Sequence, residues 1–306
     1  MVKRLISANA SDVATFTKEE LKQSIKASEG RVVLSENVVG EAPILGDVTT
    51  SELAKAFGAD MILLNVFDVY RPYIAGMPEN NSLEPELFNE NVISDLKRLI
   101  GLPVGLNLEP VDEKATMAED KLNIAKGRQA SAETLQRASE LGFDFVLLTG
   151  NPGTGVTNKE IAHAVSLAKE NFDGLIFSGK MHGAGVSEPV VNLEAAQEFI
   201  ERGADVLLVP AVGTVWGVRE KDVAQAVDLA HEKDALVMSA IGTSQEGANP
   251  ETIRQIALKN KTLGVDIQHI GDANMGLVGI RNITVLSDTI RGARHTVARI
   301  ARSVNR

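Results

Sequence analysis

The sequence has no cysteine. That one absence removes disulfides, thiol nucleophiles and thiolate metal sites. Long apolar runs are also missing: nothing approaches the length that spans a bilayer, and the N-terminal stretch MVKRLISANASDVATF has no signal-peptide core. Basic residues are outnumbered, 31 Lys and Arg against 41 Asp and Glu, so the net charge is −10. Such a surface repels nucleic acid and anionic lipid. A cytoplasmic protein with neither as a partner is expected. Large amphipathic aromatics are few as well: two tyrosines and one tryptophan.

What is present is an ordinary globular balance, 44% hydrophobic and 24% charged, enough for a large core. Eight apolar runs of strand length centre near Val33, Leu63, Gly105, Leu147, Ile176, Val206, Val237 and Gln268. Each is followed by a loop and a stretch of helical periodicity. Most intervals are close to the ~30 residues of one βα unit. Gly58-Ala-Asp60, Gly142-Phe-Asp144, Gly203-Ala-Asp205 and Gly264-Val-Asp266 each precede an even-numbered strand, a quarter-barrel repeat in which glycine ends one helix before the chain turns into the sheet. Thr17-Lys-Glu-Glu20, Thr157-Asn-Lys-Glu160 and Asn249-Pro250 supply helix starts. The expectation is a single-domain (β/α)8 TIM barrel over residues 1–306. An extra N-terminal helix should cross its bottom, and insertions should follow strands two (Asp68 to Asn89) and three (Val111 to Gln129).

In such a barrel the site lies at the C-terminal ends of the strands. If the outward face is the apolar one, strand five turns Leu175, Phe177 and Met181 to the helices and Ile176, Ser178, Lys180 and His182 inward. The same rule sends Gly105, Asn107 and Glu109 inward on strand three, and Leu147, Thr149 and Asn151 on strand four. Lys180, His182 and Glu109 are the expected catalytic residues, because an amine, an imidazole and a carboxyl converging on one volume can polarise a carbonyl and move a proton. Asn65, Asn107, Thr149, Asn151, Ser178, Ser239 and Gln268 are the expected substrate contacts. Five βα loops are glycine-rich. Those after strands seven and eight, with Gly242, Thr243, Ser244, Gly271, Asp272 and Asn274, suggest a phosphate cradle of backbone N–H groups. Tyr70, Tyr73 and Trp216 fall on the same face, and the two insertions read as a lid or a contact in a homo-oligomer.

No H-x-H on strand one, H-E-x-x-H or trio of acids on consecutive strands suggests a metal. No cofactor is expected, a magnesium ion on Glu109 or Asp272 being the weaker alternative. The final helix carries Arg291, Arg294, His295, Arg299, Arg302 and Arg306, which suggests docking onto an acidic surface of the same or a neighbouring subunit.

The runs LLTGNPGTGVTN, SGKMHGAGV, PAVGTVWG, SAIGTSQEGA and HIGDANMG together resemble a bacterial barrel family without a settled activity. Its members carry conflicting names, dehalogenase-like hydrolase and phosphonomutase among them. The first name calls for a D-x-D nucleophile motif, and the sequence contains none. Gly179-Lys180-Met181-His182 only faintly echoes the K-K-C-G-H run of the phosphoenolpyruvate mutase and isocitrate lyase superfamily. The cysteine is missing, and Asp272-Ala-Asn274-Met-Gly276 departs from that superfamily's D-x-D-x-G run. The residues therefore point to an enzyme acting on a small phosphorylated or carboxylated sugar-like metabolite by lyase, aldolase or isomerase chemistry. Two alternatives stand beside it: a non-catalytic metabolite sensor or assembly protein, and, more distantly, phosphonomutase-like C–C or C–P bond chemistry.

Overall fold

The computed structural model describes residues 2–78, 89–117, 120–271 and 277–306. Eight parallel strands close into a barrel in sequence order: β1 (Val32–Val38), β2 (Met61–Asn65), β3 (Val104–Leu108), β4 (Phe145–Leu148), β5 (Leu175–Gly179), β6 (Val206–Pro210), β7 (Leu236–Ile241) and β8 (Ile267–Ile270), with β8 pairing back onto β1. Ahead of β1 come α1 (Ala10–Val13) and α2 (Lys18–Lys26). The outer ring is α3 (Thr50–Ala56), α4 (Val92–Ile100), α5 (Ala132–Leu141), α6 (Asn158–Asn171), α7 (Leu193–Arg202), α8 (Glu220–Glu232), α9 (Pro250–Thr262) and α10 (Leu277–Ala301). The TIM-barrel expectation is met, and none of the described helices is long and apolar enough to cross a membrane.

Two apolar layers result. The barrel interior holds Val32, Leu34, Met61, Leu63, Phe145, Leu147, Phe177, Met238 and Ile267, sealed from below by Leu21 and Ile25 of α2. Alternate residues, such as Val33, Ile62, Val146, Ile176, Val237 and Ile270, pack outward on the helices. Phe145 and Phe177 stack across the interior at 4.7 Å. Gly105 on β3 makes room for them, since a Cβ there would lie 2.1 Å from the Phe145 ring.

The Gly-x-Asp repeat has a mechanical meaning. Gly58, Gly142, Gly203 and Gly264 all adopt positive φ, the conformation that favours glycine at a helix end. Each aspartate then clamps the foot of the preceding odd-numbered strand. Asp60, Asp144, Asp205 and Asp266 accept the N–H of Val33, Val104, Ile176 and Val237 on Oδ2 at 2.8–3.0 Å. Their own N–H groups donate to the same residues' carbonyls at 2.8–2.9 Å. A nitrogen-bearing side chain backs each clamp: Lys97 for Asp144, Lys18 for Asp205, the imidazole of His231 for Asp266, and the pair Arg291 and Arg299 for Asp60. The repeat therefore braces the N-terminal end of the barrel and leaves the other end to the loops.

Candidate active site

At the C-terminal mouth lies a cavity of about 380 Å³, a size usual for small-molecule sites. Glu36 of β1, Asn65 of β2, Asn151 after β4, Met181 to Gly185 after β5, Gly242 to Ser244 and Glu246 after β7, and Gly271 after β8 line it.

Three asparagines form one wall. Asn65 and Asn151 exchange side-chain hydrogen bonds, Nδ2 to Oδ1, at 2.8 and 3.0 Å. Asn107 donates to Asn65 Oδ1 at 3.1 Å. Asn65 Oδ1 also accepts the N–H of Val66, whose φ of +63° turns the chain sharply off the strand. Behind this wall the buried Glu109 carboxylate accepts from Arg128 at 2.7 Å, from the Asn151 N–H at 2.8 Å and from Asn151 Nδ2 at 2.9 Å. Both oxygens are thus occupied. In this geometry Glu109 positions Asn151 instead of facing the cavity as a free base.

The opposite wall carries the acid–base groups. Glu36 Oε2 meets Nε2 of the fully buried His269 at 2.7 Å. The other oxygen of Glu36 makes no hydrogen bond among the described residues. Glu246 sits in a 3₁₀ turn (Gln245–Gly247) held in place by Asn282 of α10, which donates to the carbonyls of Glu246 and Ala248 at 2.8 Å. Its Oε2 is buried without a partner among the described residues. Burial is the main force pushing the Glu246 carboxyl above the usual carboxylate range; the backbone N–H groups of Glu246 and Ser244 and the nearby His269 oppose it, and the Glu36 charge adds to it. His182 is shifted the other way. Burial holds it below the usual imidazole range, Lys180 reinforces this, and Glu36 and Glu109 oppose it. Its Nδ1 accepts the Ala184 N–H at 3.0 Å, so the neutral ring carries its proton on Nε2.

The strand-five parity is corrected. Leu175 and Phe177 fill the barrel interior and Ile176 faces the helices. Ser178 and Lys180 therefore face outward, while Met181 turns inward. The cause is the interior itself: a barrel of eight strands is plugged by large apolar side chains, so apolarity does not mark the outer face. Lys180 lies beside a crevice between the sheet and α7 and donates to Glu188 Oε2 at 2.7 Å; the same oxygen accepts the Asn158 N–H at the start of α6. The same half-turn error affects two more expected substrate contacts. Ser239 lies between the inward Met238 and Ala240 and so points outward. Gln268 donates to the Ala257 carbonyl of α9 at 3.0 Å, and its neighbour His269 takes the inward position.

Of the other expected site residues, Asn65, Asn151, His182, Gly242, Thr243, Ser244 and Gly271 border the cavity. Asn107 adjoins it through Asn65. Thr149 takes an inward position on the same parity as Leu147, its buried Oγ1 unpartnered among the described residues. Asp272 and Asn274 lie outside the described residues. Glu36, His269 and Glu246 escaped the sequence reading. Carrying Val32 and Leu34 as interior residues of β1 would have turned Glu36 inward.

Lys180→Met tests the corrected placement. Leaving the partly exposed Glu188 unpaired is expected to cost about 2 kcal/mol, less than the ~3–5 of a fully buried pair. Urea unfolding should show that loss, with partial recovery in Lys180→Met/Glu188→Gln. Full stability combined with lost turnover would contradict the placement.

The chain belongs to the family described as a domain of unknown function (DUF7916), whose model matches residues 6–306. No curated protein matches it by sequence. Among solved structures it resembles a Schiff-base-forming fructose-1,6-bisphosphate aldolase, at 17% identity over 86% of this chain and 96% of that one, TM-score 0.54. It also resembles a protein from Burkholderia cenocepacia described as a lyase or mutase, at 16% identity over 88% and 83%, TM-score 0.52. A third is 2,3-dimethylmalate lyase, of the PEP mutase/isocitrate lyase superfamily, at 10% identity over 85% and 83%, TM-score 0.51. At these identities the likeness is one of fold. Neither the family description nor these structures support the dehalogenase-like name.

Proposed function

We propose that the chain is an enzyme of lyase or isomerase type that moves a proton on a small sugar-like metabolite, with Glu36 as base and Glu246 as acid. The observation that carries this reading is the contrast between two carboxyls on one cavity. Glu36 is hydrogen-bonded to His269, whereas Glu246 is half-buried, keeps one buried oxygen without a partner among the described residues and is pushed toward its protonated form. Carboxyls whose environments differ in this way divide into proton acceptor and proton donor. Glu36 takes a proton from the substrate carbon or hydroxyl, and Glu246 protonates the oxygen on which negative charge develops. The neutral His182 adds its Nε2–H to that oxygen. Asn65 and Asn151 orient the substrate, held in turn by Glu109 and Arg128.

A Schiff base, the chemistry named for the aldolase neighbour, finds no support in the geometry. Among the described residues no lysine borders the cavity, and the Lys180 ammonium is paired with Glu188.

The test is hydrogen exchange in D2O with a panel of small hydroxy and keto compounds, followed by NMR. At least one compound should exchange a carbon-bound or carbinol proton, or be isomerised or cleaved. Borohydride added during turnover should leave no lysine adduct by mass spectrometry. A trapped adduct on any lysine would replace this reading with covalent catalysis.

A further inference from the structure

We infer that the ligand of this cavity is an un-ionised polyhydroxy compound of monosaccharide size, recognised through its O–H donors and carrying neither phosphate nor carboxylate; the inference rests on the acid–base reading above. Two independent features carry it.

The first is charge. No lysine or arginine borders the cavity among the described residues, while two carboxyl-bearing residues do, Glu36 and Glu246. The residues outside the described set cannot reverse this balance. Residue 1, residues 79–88, 118–119 and 272–276 contain no lysine or arginine, but they do include Glu79, Glu84, Glu86, Glu119 and Asp272. Arg128, which stands behind the asparagine wall, is neutralised by Glu109. A phosphate or carboxylate brought into such a site would meet Glu36 with no lysine or arginine bordering the cavity to offset the repulsion, in surroundings where water screens it less than in bulk.

The second feature is a set of unpartnered buried polar atoms, one on the cavity lining (Glu246) and three on residues next to it: Asn107 bonded to Asn65, His269 bonded to Glu36, and Thr149 two residues before Asn151. Asn107 Oδ1, Thr149 Oγ1, Glu246 Oε2 and His269 Nδ1 have no hydrogen-bond partner among the described residues. They come from β3, the end of β4, the turn after β7, and β8. Buried polar atoms are rarely left without a partner, so these mark positions that a ligand or ordered water completes. Their chemistry is biased. Asn107 Oδ1 only accepts. His269 Nδ1 accepts when its Nε2–H serves Glu36. The Thr149 hydroxyl and the Glu246 carboxyl can do either. A cavity bordered by no lysine or arginine among the described residues, with these hydrogen-bonding atoms in and beside its wall, is complementary to a ligand that presents several hydroxyl groups. A site built to bond hydroxyls also discriminates strongly against analogues lacking them, because its buried groups are then left bare.

Matched pairs test the proposal: common aldoses, ketoses, polyols and cyclitols, each beside its monophosphate or its acid. Binding to the intact protein is followed by thermal shift and by saturation-transfer NMR, with and without Mg2+. At least one uncharged member should raise the Tm at millimolar concentration, and its ionised counterpart should bind at least about tenfold more weakly. Asn107→Leu should weaken the uncharged ligand by about tenfold or more, while circular dichroism and unliganded Tm show that the barrel remains folded. If Asn107→Leu fails to fold, Thr149→Val serves the same purpose. Stabilisation by ionised members alone, stabilisation that requires Mg2+, or no response to any uncharged member would overturn the inference. The acid–base reading fails separately, if Glu246→Gln leaves proton exchange unchanged on whichever compound binds.

Discussion

Asp60→Asn is expected to be the most destabilising conservative substitution in the barrel frame, costing about 3–5 kcal/mol and lowering the Tm by on the order of 10 °C. Asp60 is completely buried. It accepts the Val33 N–H at 2.9 Å and the Arg291 guanidinium on Oδ2. Its Oδ1 lies 2.8 Å from Arg299 Nε, an ion-pair distance at an angle too bent for a hydrogen bond. Burial pushes the Arg299 guanidinium down from its usual range, chiefly opposed by the Asp60 charge. Asparagine keeps the shape and one acceptor but removes the carboxylate paired with the two buried cations Arg291 and Arg299. Asp144→Asn is the control, because that clamp accepts a strand N–H in the same way while its partner Lys97 is partly exposed. A loss of about 1 kcal/mol is expected there. Equal losses at the two positions, measured by urea unfolding, would show that the backbone clamp rather than the buried ion pair sets the cost.

This cluster also settles where the basic C-terminal helix docks within the chain. Arg291 and Arg299 flank a break in α10 at Gly292, whose φ is +74°, and both reach the acidic residue at the foot of β2. Arg302 donates to Asn9, and Arg294 remains exposed. Truncation after Val285 would remove both partners of Asp60 and should cost at least as much as Asp60→Asn.

The barrel was legible because its signals are local and repeated: eight apolar runs at near-regular spacing and four copies of Gly-x-Asp. All eight expected strand centres fall inside the observed strands. The asparagine wall was legible too, because Gly105 and Leu147 take the inward positions that the apolar-outside rule assigned to them. On β5, β7 and β8 the rule failed for a physical reason. Both faces of these strands are buried, one by helices and the other by the plug of the barrel, and a run apolar on both sides has no preferred phase. One misplaced residue then inverts the whole strand. The sequence thus suggested Lys180 instead of Met181, and Gln268 instead of His269. The partners that decide each role, Glu188 for Lys180 and Arg128 for Glu109, lie 8 and 19 residues away in loops. No periodicity joins them.

Glu246→Gln should have the largest effect on turnover, and its pH dependence separates a proton donor from a residue that only shapes the cavity. Glutamine retains a hydrogen-bond donor of nearly the same size but has no proton to transfer, so kcat should fall by about 10²–10⁴ with little change in KM. In the unaltered protein, kcat/KM should fall on the alkaline side as Glu246 ionises, above the ordinary carboxyl value because burial raises it. It should fall on the acid side as His182 gains a proton, below the ordinary imidazole value because burial lowers it. That proton must go to Nδ1, which breaks the bond from the Ala184 N–H. Glu246→Gln should abolish the alkaline limb and keep the acid one, and His182→Gln should shift the acid limb and keep the alkaline one. The same shifts fix two contributions to stability. The raised Glu246 contributes stability that is full below the ordinary carboxyl pKa and lost as pH rises through its folded value. The lowered His182 contributes stability present above the ordinary imidazole pKa and lost as pH falls through its folded value. Glu36→Gln gives a readout that needs no substrate. The 15N shifts of His269 should show Nε2 protonated and Nδ1 free while Glu36 is a carboxylate, and a mixture of tautomers once an amide that can donate or accept replaces it. Unchanged His269 shifts in Glu36→Gln, or an alkaline limb that persists in Glu246→Gln, would remove the corresponding carboxyl from the proton path.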